Sequence, residues 1–194
     1  MTRCRDKRSF RIHPLQKDKR GSAVEDRTQV VDVRCSVIVF RDDNVLLVHR
    51  ARDGADDWVL PGGTPRPGES MAACARRETL EETGLSADPG RIAFVLEAVG
   101  PQGGRRVVDL VFLAADPVRG EPDAQEEGME ARFVPLGLLS DLVLRPPIAG
   151  YLRGLHPGGR VRTAAYLGNL WRPERGDDMS MLPGASRPGS TRSR

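Results

Sequence analysis

The sequence predicts an α/β fold in which strands and helices pack as an α/β/α sandwich. Three observations carry that reading. Runs rich in Val and Ile recur on both sides of the middle of the chain. Between them residues 70–83 read as a helix, and Gly84 stands just past its end. After the last β-rich run come two short segments of helical character. Strands flanking a helix, with more helix after them, fit an α/β/α sandwich.

The elements follow in order. Residues 1–28 are polar and basic with no sustained period, and read as a disordered tail. Val31–Phe40 (VDVRCSVIVF) is β-rich, with Val31, Val33, Cys35, Val37 and Val39 on one face. Asp42-Asp43-Asn44 is a turn and Val45–His49 a second strand, so the pair is expected to form a hairpin. Trp58–Leu60 is a short strand entering Pro61-Gly62-Gly63. Glu69 or Ser70 caps the helix, which runs to about Thr83 and stops at Gly84. Arg91–Val99 and Val107–Ala115 are strands joined by the turn PQGG. Arg132–Pro135 is a short strand, and Leu136–Leu142 and Pro147–Leu155 are short helices. From about Arg172 the chain again reads as a disordered tail. The expected division is therefore tail 1–28, domain 29–171 and tail 172–194.

At 194 residues the chain suits one domain plus tails. The formal net charge of +3 is unevenly spread. Residues 1–30 hold nine Lys/Arg against four Asp/Glu, and residues 172–194 five against three, so the middle is acidic. A solvated tail explains the basic ends, and nucleic acid is not an expected partner. Three cysteines, Cys4, Cys35 and Cys74, with no CxxC spacing argue against a disulfide framework or a zinc site and fit a reducing compartment. No apolar run approaches the ~20 residues that span a membrane. No apolar segment of a signal peptide follows the basic N-terminus. The expected location is the cytoplasm.

The chemistry concentrates in Gly63–Leu85, GTPRPGESMAACARRETLEETGL. Spacings of three and four place Glu78, Glu81 and Glu82 on one helical face. Three like charges on one face repel. A hard divalent cation with oxygen ligands offsets that repulsion, and Mg²⁺ typically arrives with substrate phosphates. Arg77 has the fork geometry to hold Glu69 and a ligand carboxylate together. Arg76 is expected to face solvent. Gly62 and Gly63 let the backbone approach a ligand closely. His49 and His156 have no partner at ligand spacing. Trp58 is expected to pack in the core under the loop. Arg50, Arg52, Arg105 and Arg106 are candidates to meet phosphates or simply exposed.

This segment resembles the Nudix box, the signature of the Nudix hydrolase family. The match covers Gly63, Glu69, Arg77, Glu78, Glu81, Glu82, Gly84 and Leu85. It departs at Thr79, where a larger apolar residue is usual and where packing is at stake. The resemblance extends to roughly residues 30–155. It implies a mixed sheet between helices with the box as a loop–helix–loop. It implies Mg²⁺, with Mn²⁺ as a substitute, held by the Gly62 carbonyl, Glu78, Glu81 and Glu82. It implies a downstream glutamate, for which Glu127 fits, as a further metal ligand or general base. Glu78, Glu82 and Glu127 all stay candidates for the base, and Arg77 takes the orienting role.

The activity so implied is hydrolysis of the diphosphate in a nucleoside diphosphate derivative of the ADP-ribose or nucleotide-sugar type. Pro101, sixteen residues after Leu85, points to ADP-ribose or merely begins its turn. The alternatives are a housecleaning hydrolase of nucleoside triphosphates, oxidised ones included, and a Nudix-fold sensor that binds a nucleotide without cutting it. The expected partner is a small nucleotide, with no membrane, and a homodimer stays open.

Overall fold

The computed structural model describes residues 30–51, 56–100, 105–124, 129–156 and 164–171. Both tails, Arg52, the PQGG turn with Pro101, and Glu127 lie outside the described residues.

Among the described residues, nine strands and two α-helices follow in the order β1 (Val31–Ile38), β2 (Phe40–Arg41), β3 (Asn44–Arg50), β4 (Asp57–Val59), β5 (Gly62–Gly63), α1 (Met71–Thr83), β6 (Pro89–Val99), β7 (Arg106–Ala114), β8 (Met129–Pro135), α2 (Ala149–Leu155) and β9 (Ala165–Asn169). A 3₁₀ turn, Leu136–Ser140, follows β8. The strands form two sheets. One is mixed and five-stranded, ordered β5-β1-β7-β6-β9. In the other, β3 is central, with β8 along one edge and β2 and β4 sharing the other.

The expected hairpin forms only in part. β1 does not pair with β3. It runs parallel to β7 from Val31↔Arg106 to Ile38↔Leu113. Only Phe40–Arg41 turns back on β3, through a turn in which Asp42 takes φ 50°. Val39 breaks the run, and its carbonyl accepts from the Leu46 N–H at 2.9 Å. One apolar run thus serves two sheets, a division that period-two alternation cannot signal. The segment Pro147–Leu155 is helical from Ala149, but Leu136–Leu142 forms a 3₁₀ turn rather than an α-helix. β9, parallel to β6, had no counterpart in the sequence reading.

Alternation along β1, β3 and β7 feeds two cores. Cys35, Val37, Leu46 and Phe112 pack with Cys74 and Ala75 of α1. Ile38, Val45, Leu47 and Val111 pack with Ile148, Leu152 and Leu155 at α2. The helices therefore cover opposite faces of the strands, as the α/β/α reading requires. No helix among the described residues is long and apolar enough to cross a membrane.

Candidate active site

α1 carries most of the candidate residues, and its ends fix where they stand. Ser70, not Glu69, is the N-cap: its side chain accepts from the Ala73 N–H. Gly84 ends the helix in the left-handed region, φ 69°, with its N–H on the Leu80 carbonyl. On the buried side Thr79 is fully enclosed and donates its hydroxyl to the Ala75 carbonyl at 2.7 Å. The residue that departs from the box is thus a packing residue whose hydroxyl is satisfied.

Glu69, freed from capping, accepts two hydrogen bonds from Arg77, Nε and Nη2 each at 2.9 Å. It also accepts from the Arg66 N–H at 2.9 Å. Those bonds, Arg77 first and the Arg66 amide second, hold the Glu69 carboxyl at about 2, below its ordinary 4.5. The remaining nitrogen of Arg77, Nη1, donates to Glu78 at 2.6 Å and to Glu81 at 2.9 Å. The three carboxylates raise the guanidinium well above its ordinary value, with Glu69 contributing most. Arg66 adds a bond to Glu81 at 3.2 Å. Arg76 instead faces out and pairs with Asp88 at 2.5 Å.

The glycine pair closes the other side. Gly62 and Gly63 pair antiparallel with Ser36 and Cys35 of β1. The Gly62 N–H donates to Glu82 at 2.9 Å. A Cβ on Gly62 would lie 2.4 Å from the Cys35 carbonyl, and φ is 155° there. A Cβ on Gly63 would lie 2.3 to 2.5 Å from the Glu78 carboxyl. Glycine at 63 is what lets that carboxyl lie against the loop.

The structure thus gathers Gly62, Gly63, Glu69, Arg77, Glu78, Glu81 and Glu82 around one loop and one helix face. Among the described residues, no three His, Cys, Asp or Glu side chains converge as metal ligands. The Arg77 guanidinium stands among the carboxylates instead. The donor chemistry still fits Mg²⁺ or Mn²⁺: the side chains gathered here offer carboxylate oxygens, the donors such hard cations take, while the Cys35 and Cys74 thiols are buried. Burial pushes Cys35 up to about 12 and Cys74 upward too, so both stay protonated at neutral pH.

Other candidates are engaged elsewhere. His49 stacks on Trp58 with ring centroids 4.6 Å apart, and its Nε2 pairs with Asp56 at 3.0 Å. Trp58 is buried in the core that reaches α2. His156 Nε2 meets the Asp42 carbonyl at 2.6 Å. Arg105 pairs with Asp32 and Arg106 with Glu97.

The sequence reading missed a second polar group. Between the sheets lies a cavity of about 340 Å³, lined by Leu60, Leu96, Val107, Val111, Ile148 and Trp171 among others. Asp109, 5% exposed, stands in its wall. Ser36 donates its hydroxyl to both carboxyl oxygens, at 3.0 and 2.9 Å. Arg34 Nε is 3.6 Å away. Burial pushes the carboxyl up, against the pull of Arg34 and Ser36. Across the cavity Arg50 holds Asp57 with two bonds, 2.8 and 2.9 Å, and Arg145 approaches it at 3.2 Å. The signal was present: Asp109 is the lone charge in VVDLVFLA, on the inward register.

The NUDIX domain pattern matches residues 31–161. The chain belongs to the NUDIX domain family. It is 33% identical over 113 residues to the 8-oxo-dGDP phosphatase of Homo sapiens, covering 56% of this chain and 33% of that protein. It is 38% identical over 96 residues to the oxidized purine nucleoside triphosphate hydrolase of Mus musculus, covering 47% of this chain and 58% of that one. The chain therefore spans between a third and three fifths of the length of these two relatives. Among solved structures, the MutT NUDIX hydrolase from Burkholderia pseudomallei aligns with a TM-score of 0.51 at 28% identity, over 56% of this chain and 86% of that one. A NUDIX hydrolase from Nitrosomonas europaea aligns with a TM-score of 0.56 at 25% identity, over 63% and 86%.

Proposed function

We propose that this NUDIX domain is a divalent-cation-dependent hydrolase that cleaves a phosphoanhydride of purine nucleoside di- or triphosphates. The observation that carries the reading is the Arg77 cluster. One guanidinium orients Glu69, Glu78 and Glu81 on the helix face where Glu82 meets the Gly62 amide. The residues that would hold the cation are Glu78, Glu81 and Glu82 with the Gly62 backbone, and Glu127 is a further candidate outside the described residues.

Phosphoryl transfer needs charge neutralisation and in-line positioning more than covalent chemistry. A bound cation supplies neutralisation of diphosphate oxygens and a lowered pKa for water. The protein's own contribution is orientation and proton transfer. Arg77 fixes the carboxylates before substrate arrives, which lowers the entropy lost on binding. A glutamate takes the proton from the attacking water, with Glu78, Glu82 and Glu127 as candidates. Gly63 keeps the loop close to Glu78.

Similarity to an 8-oxo-dGDP phosphatase and an oxidized purine nucleoside triphosphate hydrolase favours the housecleaning reading of the substrate over the ADP-ribose type. The sole sequence feature favouring ADP-ribose was Pro101. A non-hydrolytic sensor would have no need of the full set of box carboxylates. The test is a panel of 8-oxo-dGDP, 8-oxo-dGTP, unmodified nucleotides, ADP-ribose and nucleotide sugars with Mg²⁺, the products identified by mass. The reading expects a purine nucleoside monophosphate from di- or triphosphates. Turnover of ADP-ribose alone would overturn the substrate assignment, and binding without turnover of any substrate would favour the sensor.

A further inference from the structure

Asp109 has no part in the chemistry above, yet it is built into the fold at some cost. A carboxyl in an apolar strand loses most of its hydration, which is tolerable only when hydrogen-bond donors replace it. Here the protein supplies little. Both oxygens share one hydroxyl hydrogen from Ser36, and Arg34 lies beyond hydrogen-bond distance at 3.6 Å. An ionised carboxylate has about four acceptor sites. The protein therefore leaves acceptor capacity beside a cavity lined by the apolar Val107, Val111, Leu96 and Ala98 and also by Arg34, Arg50 and Arg145.

The cavity also lies next to the box. Ser36 pairs with Gly62 across β1 and β5, and Gly62 in turn meets Glu82. Leu60, two residues before Gly62, lines the same cavity, and its carbonyl accepts from Arg34 at 3.0 Å. A group joined to a diphosphate at the box has this cavity within reach. Its volume of about 340 Å³ falls in the usual range for small-molecule sites, roughly 300–1,000 Å³.

We propose that Asp109 is the specificity-determining residue of this site, accepting the two adjacent N–H donors of a guanine-type base seated in the cavity. The inference rests on the nucleotide reading given above. Among the common bases, guanine presents adjacent donors, N1–H and the 2-amino group, on one edge, and oxidation at C8 leaves that edge intact. Adenine offers there one donor and one acceptor, which would set a lone pair against a carboxylate oxygen. Two N–H groups supply the hydrogen bonds that burial has removed from Asp109. Val107, Val111, Leu96 and Ala98 contribute contact without selecting among bases.

The test is equilibrium binding of dGMP, 8-oxo-dGMP, dIMP and dAMP in EDTA, so that no catalysis is involved. The wild type should bind both guanine nucleotides at least about tenfold more tightly than dAMP, the scale of an unpaired buried polar group. dIMP, which lacks the 2-amino donor, should fall between them. Asp109→Asn presents one acceptor and one donor, and should bring dGMP and dAMP to within about threefold of each other. Asp109→Leu removes the polar group and should also abolish the preference, with a melting temperature at or above the wild type's to show that the fold survives. Equal binding of dGMP and dAMP by the wild type, tighter binding of dAMP, or a guanine preference that persists in folded Asp109→Asn or Asp109→Leu would overturn the proposal. Guanine-selective binding by a protein that hydrolyses nothing would instead sink the hydrolase reading and leave this one standing.

Discussion

Arg77 sits where one guanidinium serves three carboxylates, and its neighbour Arg76 sits where, among the described residues, it pairs with Asp88. The two adjacent arginines are therefore a matched pair for experiment. Arg77→Gln should lower kcat by well over tenfold, because it unties Glu69, Glu78 and Glu81 at once. Arg76→Gln should cost less than about threefold, since exposed ion pairs contribute about 0–1 kcal/mol. Glu69 adds a pH signature. Its folded value of about 2 lies below the ordinary 4.5, so its contribution to stability is full above pH 4.5 and is lost as pH falls towards 2. Thermal melting of the metal-free protein from pH 6 to 2 should show that loss, and Arg77→Gln should flatten it. A melting profile unchanged by Arg77→Gln would contradict the assigned pairing. These residues were legible in the sequence because helical offsets fix which side chains share a face. Arg66 was not, because it reaches Glu81 from a loop whose path no periodicity encodes.

α1 shows how a departure from a family pattern is absorbed within one element. Thr79 is buried, and its hydroxyl returns to the Ala75 carbonyl in the preceding turn. Thr79→Val keeps the shape and removes a hydroxyl whose partner carbonyl keeps its helical N–H. Stability should hold or rise slightly, and kcat should stay near wild type. A large loss in melting temperature would show that the hydroxyl matters more than the packing. Ser70→Ala removes the cap of the same helix and should cost about 1 kcal/mol by denaturant unfolding. The notion of Glu69 as a cap gives way to Ser70, the residue type that caps well because its short side chain reaches the free amides. Arg77 claims Glu69. The split of Val31–Phe40 between two sheets was hidden in the sequence. Alternation reports which faces are buried, and both sheets bury the same residue types.

At the scale of the molecule, strands from both ends of the domain meet at the cavity. β9 lies at the far edge of the five-stranded sheet, and Leu170 and Trp171, just beyond it, line the cavity with Asp109. Truncation after residue 163 should therefore lower the melting temperature and weaken nucleotide binding. Deletion of residues 1–28 and 175–194 should leave kcat within about threefold, because no described strand or box residue is lost. Loss of activity on that second deletion would show that a tail supplies part of the site. Such long-range closure left no local sign in the sequence, whereas the layered class did, through helix and strand periods that differ along the chain.

The account's central claim is that the carboxylate face of α1 carries a cation-dependent hydrolysis. The most direct measurement is kcat for 8-oxo-dGDP or 8-oxo-dGTP hydrolysis with millimolar Mg²⁺ and with EDTA, in the wild type, Glu81→Gln and Glu82→Gln. Metal-free melting temperatures are recorded alongside. The account predicts no turnover in EDTA and a fall of roughly 10²–10⁴ in kcat for each variant, the scale of losing a metal ligand or a positioned base. It also predicts melting temperatures close to the wild type's, because each amide keeps the side chain's shape and weakens only a part-exposed contact, Glu81 with Arg77 or Glu82 with the Gly62 N–H, while easing repulsion among the carboxylates. Near-wild-type kcat in both folded variants, or full turnover in EDTA, would contradict it.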